Sequence, residues 1–165
     1  MHSTCGLLDA NYRLPSLDYE DLIKMSSALC KSPAAGHDQF KQAVFNLFAL
    51  NQDDHGKNSA FLQADDGQWQ LAPFYDVTFS PSAYGEHATA FAGFGKKPSL
   101  KAIQRLAAQA NFANWQQAQQ FIKAVIDVLQ QFAMVAKDNG VSAQTIKLIS
   151  QQLEQVRIAN RALIN

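Results

Sequence analysis

The chain has 165 residues, 47% apolar and 17% charged, and its 14 basic and 14 acidic side chains cancel. This is the length and composition of one globular domain with a single core. It excludes a fibrous or disordered chain and gives no global field for nucleic acid or an anionic membrane, so any phosphate binding must be local. Cys5 and Cys30 show no CxxC or metal-ligand spacing and read as reduced thiols of a cytoplasmic protein. No apolar run approaches about 18 residues, so no membrane span is expected. The N-terminus lacks the basic and apolar regions of a signal peptide.

The first predicted helix is capped by Ser16, carries Asp18, Glu20 and Asp21 in its first turn, and runs through Leu22, Ile23 and Met25 to about Leu29. The acids read as a solvated helix start rather than a metal site. Ser32-Pro33-Ala34-Ala35-Gly36 reads as a break. A second helix then begins near His37-Asp38, with Phe40, Val44, Leu47 and Phe48 on one apolar face. His37 has no expected functional role. Two short runs, Ser59 to Gln63 and Gln68 to Ala72, flank Ala64-Asp65-Asp66-Gly67 and predict a β-hairpin that Pro73 stops. Thr78 to Lys97 reads as a loop with a short strand at Ala88 to Phe91, and Gly95-Lys96-Lys97 is too short for a phosphate loop. Three helices follow: Ser99 to about Gln109, a long one from Trp115 to about Asp138 ended by Asn139-Gly140, and one from Ser142. The last places Ile146, Ile149, Leu153, Val156 and Leu163 on one face, as for antiparallel packing within the domain.

Chemistry concentrates between the second helix and the loop. Asn51-Gln52-Asp53-Asp54-His55-Gly56-Lys57-Asn58 follows a strongly apolar run, and Pro73-Phe74-Tyr75-Asp76 follows the hairpin. Protein kinases space a catalytic Asp and a metal-binding Asn as D-x-x-x-x-N, then place a second metal-binding Asp beyond a hairpin. Asp53 and Asn58 have that spacing and Asp76 comes next. Phosphoryl transfer needs alignment, charge neutralisation and an acceptor for the hydroxyl proton. Asp53 is the candidate for that acceptor; Asp54 competes, but only Asp53 lies five residues before Asn58. Asn58 and Asp76 offer the neutral and anionic oxygens that suit Mg²⁺, and Lys57 would neutralise charge on the transferring phosphoryl group. Element by element, a surface turn with Asp as cap and Gly relieving strain explains each piece; the ordered set argues against it. Asp53, Asp54, His55 and Asp76 as ligands of a metal-dependent phosphoesterase is a further alternative.

The residues Asp-x-His-x-Lys-Asn, a hairpin and Pro-Phe-Tyr-Asp resemble the HipA-like kinases, serine/threonine kinase toxins of bacterial toxin–antitoxin modules. His2-Ser3-Thr4 through Leu7-Leu8, Arg13-Leu14-Pro15-Ser16-Leu17-Asp18-Tyr19-Glu20-Asp21-Leu22 and Ala92-Gly93-Phe94-Gly95-Lys96-Lys97 extend the likeness from about His2 to about Ile126. It implies ATP as substrate and Mg²⁺ as cofactor, with Asp53 and Lys57 catalytic. His55, Lys57, Asn58, Tyr75 and Asp76 would meet the nucleotide, and Asn58 and Asp76 the metal. By the same likeness, His55 contacts the phosphates or braces the loop, and Tyr75 packs beside the nucleotide or under Asp76. Two departures from the general kinase pattern remain: Val77-Thr78 stands where Phe-Gly is usual, and the hairpin is longer than in many kinases.

Nothing before Asn51 supplies a kinase N-lobe: no Gly-rich strand–turn–strand, no lysine strand, no hinge. The expected fold is therefore mainly α with a small β-hairpin, the C-terminal lobe of a HipA-like kinase fold without its N-lobe. It divides into a helical lead-in (1–50), a catalytic loop, hairpin and metal-Asp segment (51–98), and a helical bundle (99–165). The expected function is the catalytic half of a Ser/Thr protein kinase, inactive as this piece alone. The alternative is a non-catalytic regulatory module that pairs with a separate N-lobe or an antitoxin and exposes an apolar patch near the start of the chain. Expected partners are that N-lobe, an antitoxin and a protein substrate, for which the family implies aminoacyl-tRNA synthetases; neither nucleic acid nor membrane is expected to bind directly.

Overall fold

The computed structural model describes residues 1–11 and 17–164. Arg13-Leu14-Pro15-Ser16, including the expected cap at Ser16, lies outside the described residues. The chain opens with a two-residue strand (β1, His2–Ser3) and a single helical turn (α1, Thr4–Leu7), then a second short strand (β2, Leu17–Asp18). Helix α2, Tyr19–Leu29, is capped by Asp18, whose Oδ1 accepts from Glu20 N at 2.9 Å. Asp18 therefore precedes the first turn rather than belonging to it. Nor is it merely solvated, because its carboxylate also accepts from Ala92 N (2.9 Å) and Gly93 N (2.6 Å), 74 and 75 residues away.

Helix α3 spans Pro33–Ala49, four residues earlier than the expected start. Proline has no N–H to lose at the first helical position and its φ is already helical, so Pro33 starts α3 instead of lying in a break before it. Gly36 sits inside α3 because space requires it: a methyl there would stand 2.4 Å from Ser27 Oγ and 3.3 Å from the Ala110 carbonyl oxygen. His37 is consequently a helix residue, stacked on Phe112 with ring centroids 4.2 Å apart.

The hairpin forms as β3 (Ala60–Gln63) and β4 (Trp69–Leu71), with Phe61 opposite Leu71 and Gln63 opposite Trp69. Gly67 takes φ +82° in its turn, where a side chain would be strained. β1 adds to the free edge of β3, and β5 (Thr89–Ala90) pairs in parallel with β2. Helix α4 (Leu100–Gln109) is capped by Ser99, whose Oγ accepts from Ala102 N. The expected long helix is two, α5 (Trp115–Gln130) and α6 (Phe132–Asp138), separated at Gln131, where Gln131 N bonds back to Val128 O in a tighter turn. The break re-aims the chain so that Phe132 joins Phe48, Ile126, Leu129 and Leu153 around one apolar groove. Helix α7 (Ala143–Ala159) starts after Ser142, and Leu163 belongs to the 3-10 turn Arg161–Leu163 that follows it. No residue of α7 is fully buried; Ile146, Ile149, Leu153 and Val156 form a half-buried face.

One core joins α2 to α5, with Tyr19, Ile23, Phe40, Phe91, Ile103, Leu106 and Ile122 essentially inaccessible. Phe40, Val44, Leu47 and Phe48 are all buried, which makes α3 a rigid lead-in to the residues that follow it. Among the described residues no helix is long and apolar enough to cross a membrane.

Candidate functional site

Helix α3 ends at Leu50, which takes a left-handed φ of 53° and turns the chain sharply into Asn51. The loop from Asn51 to Asn58 then folds on itself. Asn58 Nδ2 donates to the Asp53 carbonyl at 2.9 Å, Asn58 N donates to the His55 carbonyl at 2.8 Å, and His55 Nε2 lies 3.6 Å from Asp53 Oδ1. Asp53, His55 and Asn58 thus meet within one turn. The Asp53 side chain is 64% exposed. At Gly56 the loop presses on the start of the chain: Cys5 N donates to the Gly56 carbonyl, and a methyl on Gly56 would stand 2.8 Å from Cys5 Sγ.

The hairpin returns the chain to this loop. Beyond β4, the Tyr75 hydroxyl donates to the carbonyl of Lys57, pinning the segment that carries Asp76 beside the residue preceding Asn58. Burial, and then the neighbouring Asp76 charge, push the Tyr75 hydroxyl above its usual pKa, which keeps it a donor. Asp76 is exposed and takes φ 54°. A non-glycine residue held in the left-handed region costs about 1–3 kcal/mol, a strain that clusters at functional sites.

Asp54 faces the other way. Its side chain is fully buried; Oδ2 accepts from the Tyr19 hydroxyl (2.7 Å) and bonds His87 Nδ1 (2.9 Å), while Oδ1 accepts from Thr89 N (3.2 Å). Thr89 Oγ1 in turn donates to the Asp54 carbonyl at 2.6 Å. The network continues inward: Asn46 Nδ2 donates to the Tyr19 oxygen (2.7 Å), Asn51 Nδ2 to Asn46 Oδ1 (2.8 Å), and Ser80 Oγ to Asn51 Oδ1 (2.9 Å). Two adjacent carboxylates therefore occupy opposite environments, one open to solvent and one enclosed in a polar seam.

A family model described as HipA-like C-terminal domain matches residues 1–137. The chain belongs to the HipA-like C-terminal domain family. In structure the domain is similar to HipA of the Shewanella oneidensis MR-1 toxin–antitoxin system, solved with HipB and its operator DNA, with a TM-score of 0.65 and 16% identity. That similarity covers 88% of this chain and 35% of that HipA, so the chain spans about a third of its length. No curated protein matches the sequence. Helix α7 lies beyond the residues that the family model matches.

For a HipA-like domain the donor chemistry at Asn58 and Asp76 suits a hard divalent cation. The Asn58 amide commits its nitrogen to the Asp53 carbonyl, which leaves its oxygen as the available donor, and Asp76 adds an exposed anionic oxygen. Among the described residues no three His, Cys, Asp or Glu side chains gather as a potential metal site. The alternative ligand set Asp53, Asp54, His55 and Asp76 is thus not assembled, because Asp54 is turned into the seam. Sequence reasoning missed Tyr19, Asn46, Ser80, His87 and Thr89 as neighbours of the loop. No local signal pointed to them: an Asp-Asp doublet does not imply a buried partner, since Asp65 and Asp66 are adjacent and both exposed.

Proposed function

We propose that this domain is the catalytic half of an ATP- and Mg²⁺-dependent kinase that phosphorylates a protein Ser or Thr, with a second lobe needed to close over the nucleotide. The observation that carries this reading is the arrangement around Asn58: Asp53 open to solvent, Asn58 bonded to its carbonyl, and Tyr75 fastening the Asp76 segment to Lys57. On this reading Asp53 orients the attacking hydroxyl and accepts its proton, worth typically about 10²–10⁴ in rate. Lys57 offsets charge on the transferring phosphoryl group, and His55 steadies Asp53 or a phosphate oxygen. Asn58 and Asp76 hold Mg²⁺, which supplies Lewis-acid neutralisation of the phosphates when bound. The aminoacyl-tRNA synthetases implied by the family resemblance remain the substrate class proposed, in a bacterial cytoplasm.

A second reading makes the chain a non-catalytic module that pairs with a separate N-lobe or an antitoxin. Exposed apolar side chains favour it: Met1 and Leu8 at the start of the chain, and in greater number Val128, Met134, Val135, Leu148 and Ile158 on α5–α7. The similar HipA was solved with HipB, which makes an antitoxin of that kind the first partner to try.

Calorimetric titration with Mg²⁺-ATP separates the two. The catalytic reading expects weak but measurable binding by the wild-type chain that Asp76→Asn lowers at least about tenfold, with no appreciable turnover by either. Identical heats for the two proteins would remove the catalytic reading and leave the pairing module.

A further inference from the structure

The Asp53 side chain is 64% exposed, with His55 Nε2 3.6 Å from its Oδ1. The chain on either side of it is tied to the segment that follows Asp76. Before it, Gln52 N donates to the Ser80 carbonyl (3.2 Å), the Gln52 carbonyl accepts from Ala88 N (3.1 Å), and Gln52 Oε1 accepts from Ser82 N (2.7 Å). After it, Asp54 takes the bonds from Tyr19, His87 and Thr89. Gln52 and Asp54, on either side of Asp53, are both buried, and Asp53 between them is left facing solvent.

His87 is the member of this seam that has no other assignment. Its side chain is 2% exposed, its ring stands edge-on to Phe91 at 5.0 Å, and its Nδ1 lies 2.9 Å from Asp54 Oδ2. A carboxylate can only accept, so Nδ1 carries the proton in this contact. A buried ion pair or charged hydrogen bond is poor value as a source of stability, because an apolar pair of the same volume does as well or better. What it supplies is direction, since a fully bonded carboxylate has one orientation whereas an apolar contact tolerates several.

We propose that His87 is a positioning residue for Asp53: by holding Asp54 it fixes the loop Asn51–Asn58 against the Ser80–Ala90 segment and thereby aims the catalytic carboxylate. The role of Asp53 in this statement rests on the kinase reading above; the brace on the loop does not.

The test compares His87→Ala with His87→Asn, since asparagine can place an N–H where Nδ1 stands. Amide hydrogen exchange and Mn²⁺-ATP broadening of the Asn58 and Asp76 resonances are read on the whole chain. In His87→Ala the Asn51–Asn58 amides should exchange at least about tenfold faster while those of α4 and α5 keep their wild-type rates. Mn²⁺-ATP affinity at Asn58 and Asp76 should fall at least about threefold in the same variant. His87→Asn should recover most of both changes. Unchanged loop exchange in His87→Ala overturns the brace. So does a uniform rise across loop and helices that asparagine fails to rescue, which marks a residue of general stability only. A loosened loop with undiminished Mn²⁺-ATP affinity overturns the positioning role. Absence of broadening in the wild-type chain counts against the kinase reading itself, and the exchange result still decides the brace.

Discussion

The loop at Asn51–Asn58 and the helices at the C-terminal end are held by different kinds of force. Beneath the loop a continuous chain of polar groups runs from half-buried Ser80 through buried Asn51, Asn46, Tyr19 and Asp54 to His87, each bond between 2.7 and 2.9 Å. At the other end α6 and α7 meet through half-buried apolar side chains, while Met134, Leu148 and Ile158 remain more than half exposed. Apolar contact is non-directional and tolerates small slips; a closed polar seam permits one arrangement and fails badly when a member is removed. The segment that needs an exact path is tied by directional bonds between residues far apart in sequence, whereas the side-chain bonds of α7, such as Arg157 to Glu154, are local to its own turns.

Neighbouring acids give the most severe way to break that contrast. Asp54→Ala removes the acceptor for Tyr19, His87 and Thr89 N, and should cost about 3–5 kcal/mol, as for other buried pairs that lose one partner. Asp53→Ala, one residue away and solvent-exposed, should stay within about 0.5 kcal/mol of wild type. Urea denaturation of the two variants measures both. Equal losses would mean that the loop is not divided into an open and an anchored face.

The same contrast explains what the sequence could and could not disclose. The cap at Ser99, the hairpin around Gly67 and the end of β4 before Pro73 were all legible, because each depends on residues a few positions apart. The start of α3 was not: Pro33 is a breaker inside a helix and a starter at its first position, and composition does not say which. Nor was the break at Gln131, where neither proline nor glycine marks the change. The pairings of β1 with β3 and β2 with β5 involve two residues each, too few for any periodicity. At the site, the spacing of Asp53, Asn58 and Asp76 singled out the loop. Asp54 was seen as the competitor of Asp53 or as a metal ligand, because its partners lie 33 to 35 residues away and only the folded chain joins them.

Tyr19 lies at the middle of the seam, and Tyr19→Phe should have the next largest effect. The change keeps the buried ring against Phe91 but leaves Asp54 short of a donor and Asn46 short of an acceptor, at a cost of about 1–3 kcal/mol. It also predicts a pH dependence. Burial, reinforced by the Asp54 charge, pushes the Tyr19 hydroxyl well above its usual pKa. The unfolded chain gives up this proton near pH 10 while the folded chain retains it, so the contribution is intact below about pH 10 and declines as pH rises further. Tyr75 is shifted in the same direction, so the quantity to read is the difference between wild type and Tyr19→Phe. Urea midpoints at about pH 8 and about pH 11 should converge for the two proteins at the higher value. A constant gap would exclude the proton on Tyr19 as the source.

A smaller loss than at Tyr19 should arise at the apolar end. Ser142 Oγ accepts from Thr145 N at 3.1 Å and starts α7, so Ser142→Ala should lower stability by about 1 kcal/mol, the usual loss for a helix cap. Its more informative consequence is spatial. α7 lies beyond the family-matched residues and its first turn is largely exposed, so fraying there should leave the loop in place. Exchange of the Ala143–Lys147 amides should accelerate while that of Asn51–Asn58 remains at the wild-type rate. Acceleration at both ends would show that α7 helps to set the loop after all, and would make the C-terminal helices part of the site's scaffold rather than a cover over the core.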